Sequence, residues 1–251
     1  VGFGRANNQA IAQTRGRYVL LLNTDAFVSP DTLAKTVAYM ENDARCGVLG
    51  VKLTASDGSL QPSCRYFPTP FNVFLKSTGL NRYCPSVRLV DEMAWDHASV
   101  RECDWVPGCY YLVRRQVIEQ VGLFDPRYFL YYEEIDHCRT VRKAGWSVVF
   151  YPFTTVVHIG GESAESTGRL TDAGRQIPTL QIESELLYFR KHHGLPAVGA
   201  CLLFTILGEV AKVMKRLFRG QLKNHPADGL RNIWKTLQLA VSTRLGSRPT
   251  R

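Results

Sequence analysis

The sequence predicts an α/β layer fold followed by a helical, basic appendage. Three observations lead there. Helix-like and strand-like patterns alternate from Arg5 to Leu53, the rhythm of a layered α/β domain. Tyr18–Leu22 is an unbroken apolar run of strand length, as expected of a strand buried on both faces. Charge is the third. The 251 residues carry 31 Lys+Arg against 22 Asp+Glu, a net charge of +9. Ten of those bases and one acid, Asp228, lie in the last 40 residues from Lys212 onward. The whole excess therefore belongs to that tail, and the body is neutral. A protein that coats nucleic acid would spread positive charge over its body, so that class is set aside. A composition 45% hydrophobic and 21% charged is that of a globular domain. Seven scattered cysteines without a CxxC pair argue against a zinc or disulfide framework and favour a reducing compartment. No signal peptide pattern is visible. The first residues, beginning at Val1, read like a domain interior, so a fragment is expected.

In chain order, residues 5–14 suit a short helix ended by Arg15-Gly16-Arg17, and the strand Tyr18–Leu22 stops at Asn23-Thr24-Asp25. Ser29-Pro30-Asp31 reads as a cap and first turn of a helix running to about Glu41. Gly47–Leu53 is the next strand, closed by an Asp57-Gly58 turn, and 79–101 reads as a variable loop. Asp104–Val113 is strand-like with a Pro-Gly interruption, and Arg114–Val121 is a short helix closed by Gly122. Tyr132–Ala144 is a helix closed by Gly145, followed by strands at Ser147–Tyr151 and Thr155–His158. Polar, Gly/Ser-rich residues 160–177 read as a loop or linker, and everything beyond Pro178 as helix.

Three places carry candidate chemistry. Asp25 follows a buried strand, where ligands collect in open α/β sheets. It is either a cation ligand bridging two phosphates or a turn residue capping the next segment. Glu133, Glu134 and Asp136 crowd the start of a helix. The macrodipole alone would account for them, yet crowding and desolvation would also prepare a general base. Arg139, one turn on, can pair with Asp136 and leave Glu134 free. His158 ends an apolar strand just before Gly160-Gly161, a structural position or a ligand position. No P-loop, GxGxxG or Ser/His/Asp set is present.

Taken in order, GFGRANNQAI (2–11), YVLLLNTDA (18–26), DGS (57–59), WVPGCYYLVRR (105–115), VGLFDPRYFLYYEEIDHCRTVRKAGW (121–146) and VVHIGGES (156–163) resemble the family 2 inverting glycosyltransferases, especially rhamnosyltransferase-like members. The resemblance covers roughly residues 1–163 and continues weakly through YFRKHHG (188–194). It implies a GT-A fold, a Rossmann-like mixed sheet flanked by helices that binds a nucleotide-sugar and a divalent cation, Mg or Mn. It implies Asp25 as metal ligand within Asn23-Thr24-Asp25, and His158 as completing the metal site. Glu134 falls where the family keeps its base, with Glu133 and Asp136 supporting it. Asn8, Asn23, Thr24, Trp105, Gly108, Cys109 and Arg139 fall among the substrate-contacting positions. The family's opening βαβ region, which grips the nucleoside, has no counterpart before GFGRANN. The expected domains are a core over 1–165, a linker over 166–177 and a helical tail over 178–251.

In the tail, Val210, Val213, Met214 and Leu217 share one helical face, while Lys212, Lys215, Arg216 and Arg219 share another. The preceding apolar stretch Leu195–Leu207 falls short of the ~20 residues of a simple membrane span, and Glu209 interrupts its continuation. A second amphipathic segment carries Leu230, Ile233, Trp234, Leu237 and Val241. In-plane attachment to an anionic cytoplasmic leaflet is expected, against the plainer reading of an appendage packed on the core. The resemblance thus implies transfer of rhamnose or a hexose, from dTDP-rhamnose or a UDP-hexose, to a lipid-linked or glycan acceptor, and the tail places the reaction at the inner face of the plasma membrane. A membrane- or nucleic-acid-binding module and a nucleotidyltransferase are the alternatives, and no nucleic-acid partner is expected.

Overall fold

A computed structural model describes residues 1–159, 170–218 and 227–251; within it, the side chains of 170–178, 216–217 and 227–228 are left undescribed. The chain forms two compact units, one of Val1–Phe67 with Asp91–Gly174, the other of Pro68–Val90 with Arg175–Arg251.

The first unit contains α1 (Phe3–Ile11), β1 (Tyr18–Leu22), β2 (Ala26–Val28), α2 (Thr32–Asn42), β3 (Cys46–Thr54) and β4 (Leu60–Gln61). Outside the second unit's α3 (Pro70–Thr78), it continues with β5 (Arg101–Glu102), β6 (Tyr110–Arg114), α4 (Arg115–Val121), α5 (Glu133–Lys143) and β7 (Ser147–His158). The mixed seven-stranded sheet runs β1-β6-β3-β7-β2, with β4 added on β3 and β5 on β7. Among the described residues only β3 and β7 pair in parallel. Two neighbouring tyrosines show the layering, because successive strand side chains point to opposite faces. Tyr110 reaches Thr36 of α2 with its hydroxyl at 2.8 Å, while Tyr111 reaches His137 of α5, also at 2.8 Å. Between α2 and the sheet lies a core of Met40, Leu49, Val51, Leu53, Leu112, Val149 and Val156.

Four differences from the sequence reading have local causes. β1 alternates buried and half-buried residues instead of being enclosed on both faces, because it stands at one end of the strand order. β2 is too short to announce itself, and exists because the end of β7 pairs with it. The strands expected at 147–151 and 155–158 are one strand with a bulge. Its register with β3 jumps from Val51↔Tyr151 to Lys52↔Thr155, and Pro152 has no N–H to give a ladder there. Residues 104–109 are irregular, and the strand starts only at Tyr110.

In the second unit, α3 is a helix that its own sequence signals at both ends. Thr69 and Asn72 form a reciprocal capping box, Pro70 opens the helix and Gly79 ends it in the left-handed region. Residues 160–169 lie outside the described residues, and helix α6 (Leu170–Phe218) begins inside the expected linker. It breaks at Gly194, whose φ of 74° only glycine adopts readily. Helix α7 (Ala227–Ser242) follows. Glu209 is buried, accepting from Lys212 at 3.0 Å and Asn232 at 2.8 Å. Leu203, Ile206, Leu207, Val210 and Met214 of α6 are exposed, as are Leu230, Trp234, Leu237 and Val241 of α7. Thr179–Lys215 is long enough to cross a membrane and holds an 18-residue window apolar enough for it, with a mean hydropathy of 1.8; core helices of soluble proteins pass that test too.

The 105–109 segment lies directly on β3. A Cβ placed on Gly50 would sit 2.5 Å from Val106 Cβ. Gly50→Ala should therefore cost about 1–3 kcal/mol of stability, read by urea denaturation. An unchanged midpoint would show that the segment does not rest there.

Candidate active site

The carboxyl end of β1 leads straight into Asn23-Thr24-Asp25, which spans two parts of the sheet. The Asn23 N–H donates to the Cys109 carbonyl beside β6 at 3.1 Å, and the Ile159 N–H donates to the Asp25 carbonyl at 3.1 Å. The β2·β7 register sets Ala26 opposite His158. Asp25, one residue earlier, is buried, and its Oδ2 lies 3.5 Å from His158 Nε2. Gln61 of β4 holds the other side of that ring. Its amide Nε2 donates to the His158 carbonyl at 2.9 Å, and its Oε1 lies 3.2 Å from His158 Nδ1. A carboxylate oxygen and an imidazole nitrogen suit a hard or borderline divalent cation that keeps waters and takes its remaining ligands from phosphates. The donor set fits such an ion with two protein ligands. Among the described residues no group of three or more His, Cys, Asp or Glu is arranged for one.

The second cluster stands at the head of α5. Two successive non-glycine residues, Tyr131 and Tyr132, have φ of 70° and 71°, a conformation that costs about 1–3 kcal/mol each and persists only where the surroundings impose it. They turn the chain into the helix so that Glu133, Glu134 and Asp136 fill its first turn. Glu133 is buried, and burial, then the neighbouring Glu134 charge, pushes its carboxyl well above the usual range. Glu134 is raised by burial too, but the N–H groups of Glu134 and Gly108 and the Arg65 charge pull it back. Asp136 is buried and accepts the Tyr128 hydroxyl at 3.2 Å, bracing the turn. The acid helix and the Asp25 loop meet one short segment, Glu134 lying against Gly108 and the Asn23 N–H donating to the Cys109 carbonyl. Burial raises the Cys109 thiol to about 12, and the charges of Glu134 and Asp25 both add to that shift.

Residues 1–177 match the family model described as glycosyltransferase like family 2. This chain belongs to the family 2 glycosyltransferases. It is 31% identical over 236 residues to the N-acetylglucosaminyl-diphospho-decaprenol L-rhamnosyltransferase of Mycobacterium tuberculosis, covering 89% of this chain and 74% of that protein. To the rhamnosyltransferase WbbL of Escherichia coli it is 29% identical over 167 residues, covering 62% of this chain and 60% of that one. Among solved structures, one of GalNAc-T7 with UDP, GalNAc and Mn2+ aligns with a TM-score of 0.51 at 10% identity. That alignment covers 97% of this chain and 44% of the other. The mixed sheet flanked by helices is thus a GT-A fold, as the sequence implies.

Within this glycosyltransferase the other expected contact residues divide into two sets. Thr24 is exposed and Asn23 half-buried at the mouth of the Asp25 loop. Gly108 lies against Glu134, where an added Cβ would meet Oε1 at 3.5 Å. Asn8, Trp105 and Arg139 are engaged elsewhere. Both polar atoms of the Asn8 amide bond the backbone of Phe124, at 2.7 and 3.1 Å. Trp105 is buried and donates to the Tyr66 carbonyl at 2.9 Å. The Arg139 guanidinium covers the Phe67 ring at 4.9 Å. These three brace the walls. Sequence reasoning missed Gln61 and Arg65. The Asp57-Gly58 turn was the available signal, since a hairpin there returns the following residues alongside β3.

The buried acids give a pH dependence of definite sign. A folded carboxyl with a raised pKa holds a proton that the unfolded chain has released, so stability falls as pH rises from about 4.5. Glu133→Gln removes the larger of the two penalties. Its unfolding free energy should decline less between about pH 4.5 and 7 than that of the wild type. Equal slopes in urea titrations at stepped pH would mean that Glu133 ionises normally.

Proposed function

We propose that this enzyme transfers a sugar, with inversion, from a nucleotide-sugar to a lipid-linked or polysaccharide acceptor. Rhamnose from dTDP-rhamnose is the first candidate donor and a UDP-hexose the next. The observation that carries the mechanism is that both clusters meet the Gly108-Cys109 segment: a Cβ on Gly108 would lie 3.5 Å from Glu134 Oε1, and the Asn23 N–H of the Asp25 loop donates to the Cys109 carbonyl at 3.1 Å. The rhamnose and lipid-linked acceptor are supported by the similarity to the mycobacterial rhamnosyltransferase, which acts on a decaprenol-linked acceptor.

Glu134 is the base. Of the two neighbouring glutamates it is the one in which burial, the main cause raising its carboxyl, is opposed by its own N–H, the Gly108 N–H and the Arg65 charge. A base is most useful when its pKa approaches the working pH, and burial moves it that way. It takes the proton of an acceptor hydroxyl, whose oxygen attacks the anomeric carbon from the side opposite the leaving nucleotide. Asp25 and His158 would hold a Mg or Mn ion, which when bound neutralises charge on the diphosphate leaving group. Glu133, kept protonated by burial, adds no second negative charge beside the base. Asn23, Thr24 and Gly108 line the substrate side. Glu134→Gln should lower the turnover number by about 10²–10⁴ while the donor dissociation constant changes little. A variant turning over at near the wild-type rate in a radiolabelled-donor assay would remove Glu134 from this role.

Residues 1–165 form the catalytic domain in this reading, and 178–251 attach it in plane to the inner face of the plasma membrane. Support comes from the exposed apolar residues of α6 and α7 together with the basic excess of the tail. The enzyme should float with vesicles containing anionic lipid at low salt, and binding should weaken as salt screens the basic residues. Absence of flotation at low salt would refute the attachment.

A further inference from the structure

Gln61 stands out among residues that the mechanism above leaves without a part. It lies on β4, the two-residue strand added at the edge of β3, yet it spends its whole side-chain amide on one residue of another strand. Its Nε2 is 2.9 Å from the His158 carbonyl and its Oε1 is 3.2 Å from His158 Nδ1. A backbone carbonyl only accepts, so the amide end facing it must be the NH2 group. That fixes the amide, and the oxygen is then left facing Nδ1. An amide oxygen only accepts, so Nδ1 must carry the hydrogen. In the neutral ring Nε2 is then the atom with the lone pair, and it is Nε2 that lies 3.5 Å from Asp25 Oδ2. Two electron-pair donors converge at a distance too long for a strong hydrogen bond and suited to a shared cation.

We infer that Gln61 is a positioning residue that selects the Nδ1–H tautomer of His158, so that Nε2 and the Asp25 carboxylate present their lone pairs to one divalent cation. The inference rests on the reading of Asp25 and His158 as cation ligands, and adds the residue that prepares the site before any ion arrives. Metal-binding histidines generally have their second nitrogen held by such an outer partner. Here the partner is neutral, which keeps a further negative charge out of a pocket already holding Asp25.

The test uses the purified chain and two readouts other than turnover. Mn2+ binding is measured by electron paramagnetic resonance for wild type, Asp25→Ala, His158→Ala and Gln61→Leu. The ring nitrogens of His158 are observed by 15N NMR in the metal-free chain at a pH where the ring is neutral, with assignment by their loss in His158→Ala. The expected result is an Nδ1–H ring in wild type, a mixed tautomer population in Gln61→Leu, and Mn2+ binding weakened about 10–100-fold in that variant. Wild-type Mn2+ affinity in Gln61→Leu, or an Nε2–H ring in the wild type, would overturn the role of Gln61. Mn2+ binding unaffected by Asp25→Ala and His158→Ala would instead overturn the cation reading itself. Should Gln61→Leu not fold, as judged by its thermal melt, the wild-type ring spectrum alone decides.

Discussion

Three residue pairs of antiparallel ladder, Ala26–Val28 against Val156–His158, decide whether the acid and the imidazole meet. Side chains alternate along a strand, so a slip of one residue would send His158 to the other face of the sheet. So short a ladder does not fix its own register. Three features outside it do. The bulge at Pro152–Thr154 re-aims the end of β7, and the Thr154 hydroxyl is held by Thr32 at 2.7 Å. The Gln61 amide clamps His158 through both backbone and ring. The Asp25 loop inherits its placement from this arrangement, because the Ile159 N–H that holds its carbonyl follows directly on β7.

The parts of this architecture visible in the sequence are those governed by local patterns. Tyr18–Leu22, the helix before Gly122 and the helix before Gly145 follow from apolar runs and terminators, and the structure has them within a residue or two. The acids at the head of α5 and the Asp after β1 were legible because they stand at a helix start and at a strand's carboxyl end, positions that local patterns mark. What stayed hidden depends on partners distant in the chain. β2 is a strand only because β7 lies beside it. Gln61 is 97 residues from His158, and no periodicity connects them. Asn8 and Trp105 sit in motifs that read as contact residues, yet their polar atoms are consumed by the backbone of Phe124 and Tyr66. The strained turn at Tyr131 and Tyr132 is equally invisible, since nothing in two tyrosines announces a left-handed backbone.

The tail shows how one buried contact changes the reading of a surface. In the sequence, Glu209 interrupts an apolar helix and divides it. In the folded unit its carboxylate turns inward, to Lys212 and Asn232. The exposed face then runs on from Leu203 through Ile206, Leu207 and Val210 to Met214. That spacing of three and four residues is one continuous helical stripe. The same pairing takes Lys212 away from the basic face on which its spacing had placed it. Positive charge and apolar area in the tail are therefore sorted by tertiary contacts as much as by helical period.

Cys109 follows Gly108, which lies against Glu134, and its carbonyl accepts the Asn23 N–H of the Asp25 loop. After burial, the negative charges of Glu134 and Asp25 both favour its neutral thiol. A carboxylate at that point would add a third negative centre, and the group as a whole would resist full ionisation. The thiol is small, and burial together with the two flanking acids keeps it protonated up to about 12. Cys109 therefore adds no charge of its own between the acid helix and the Asp25 loop.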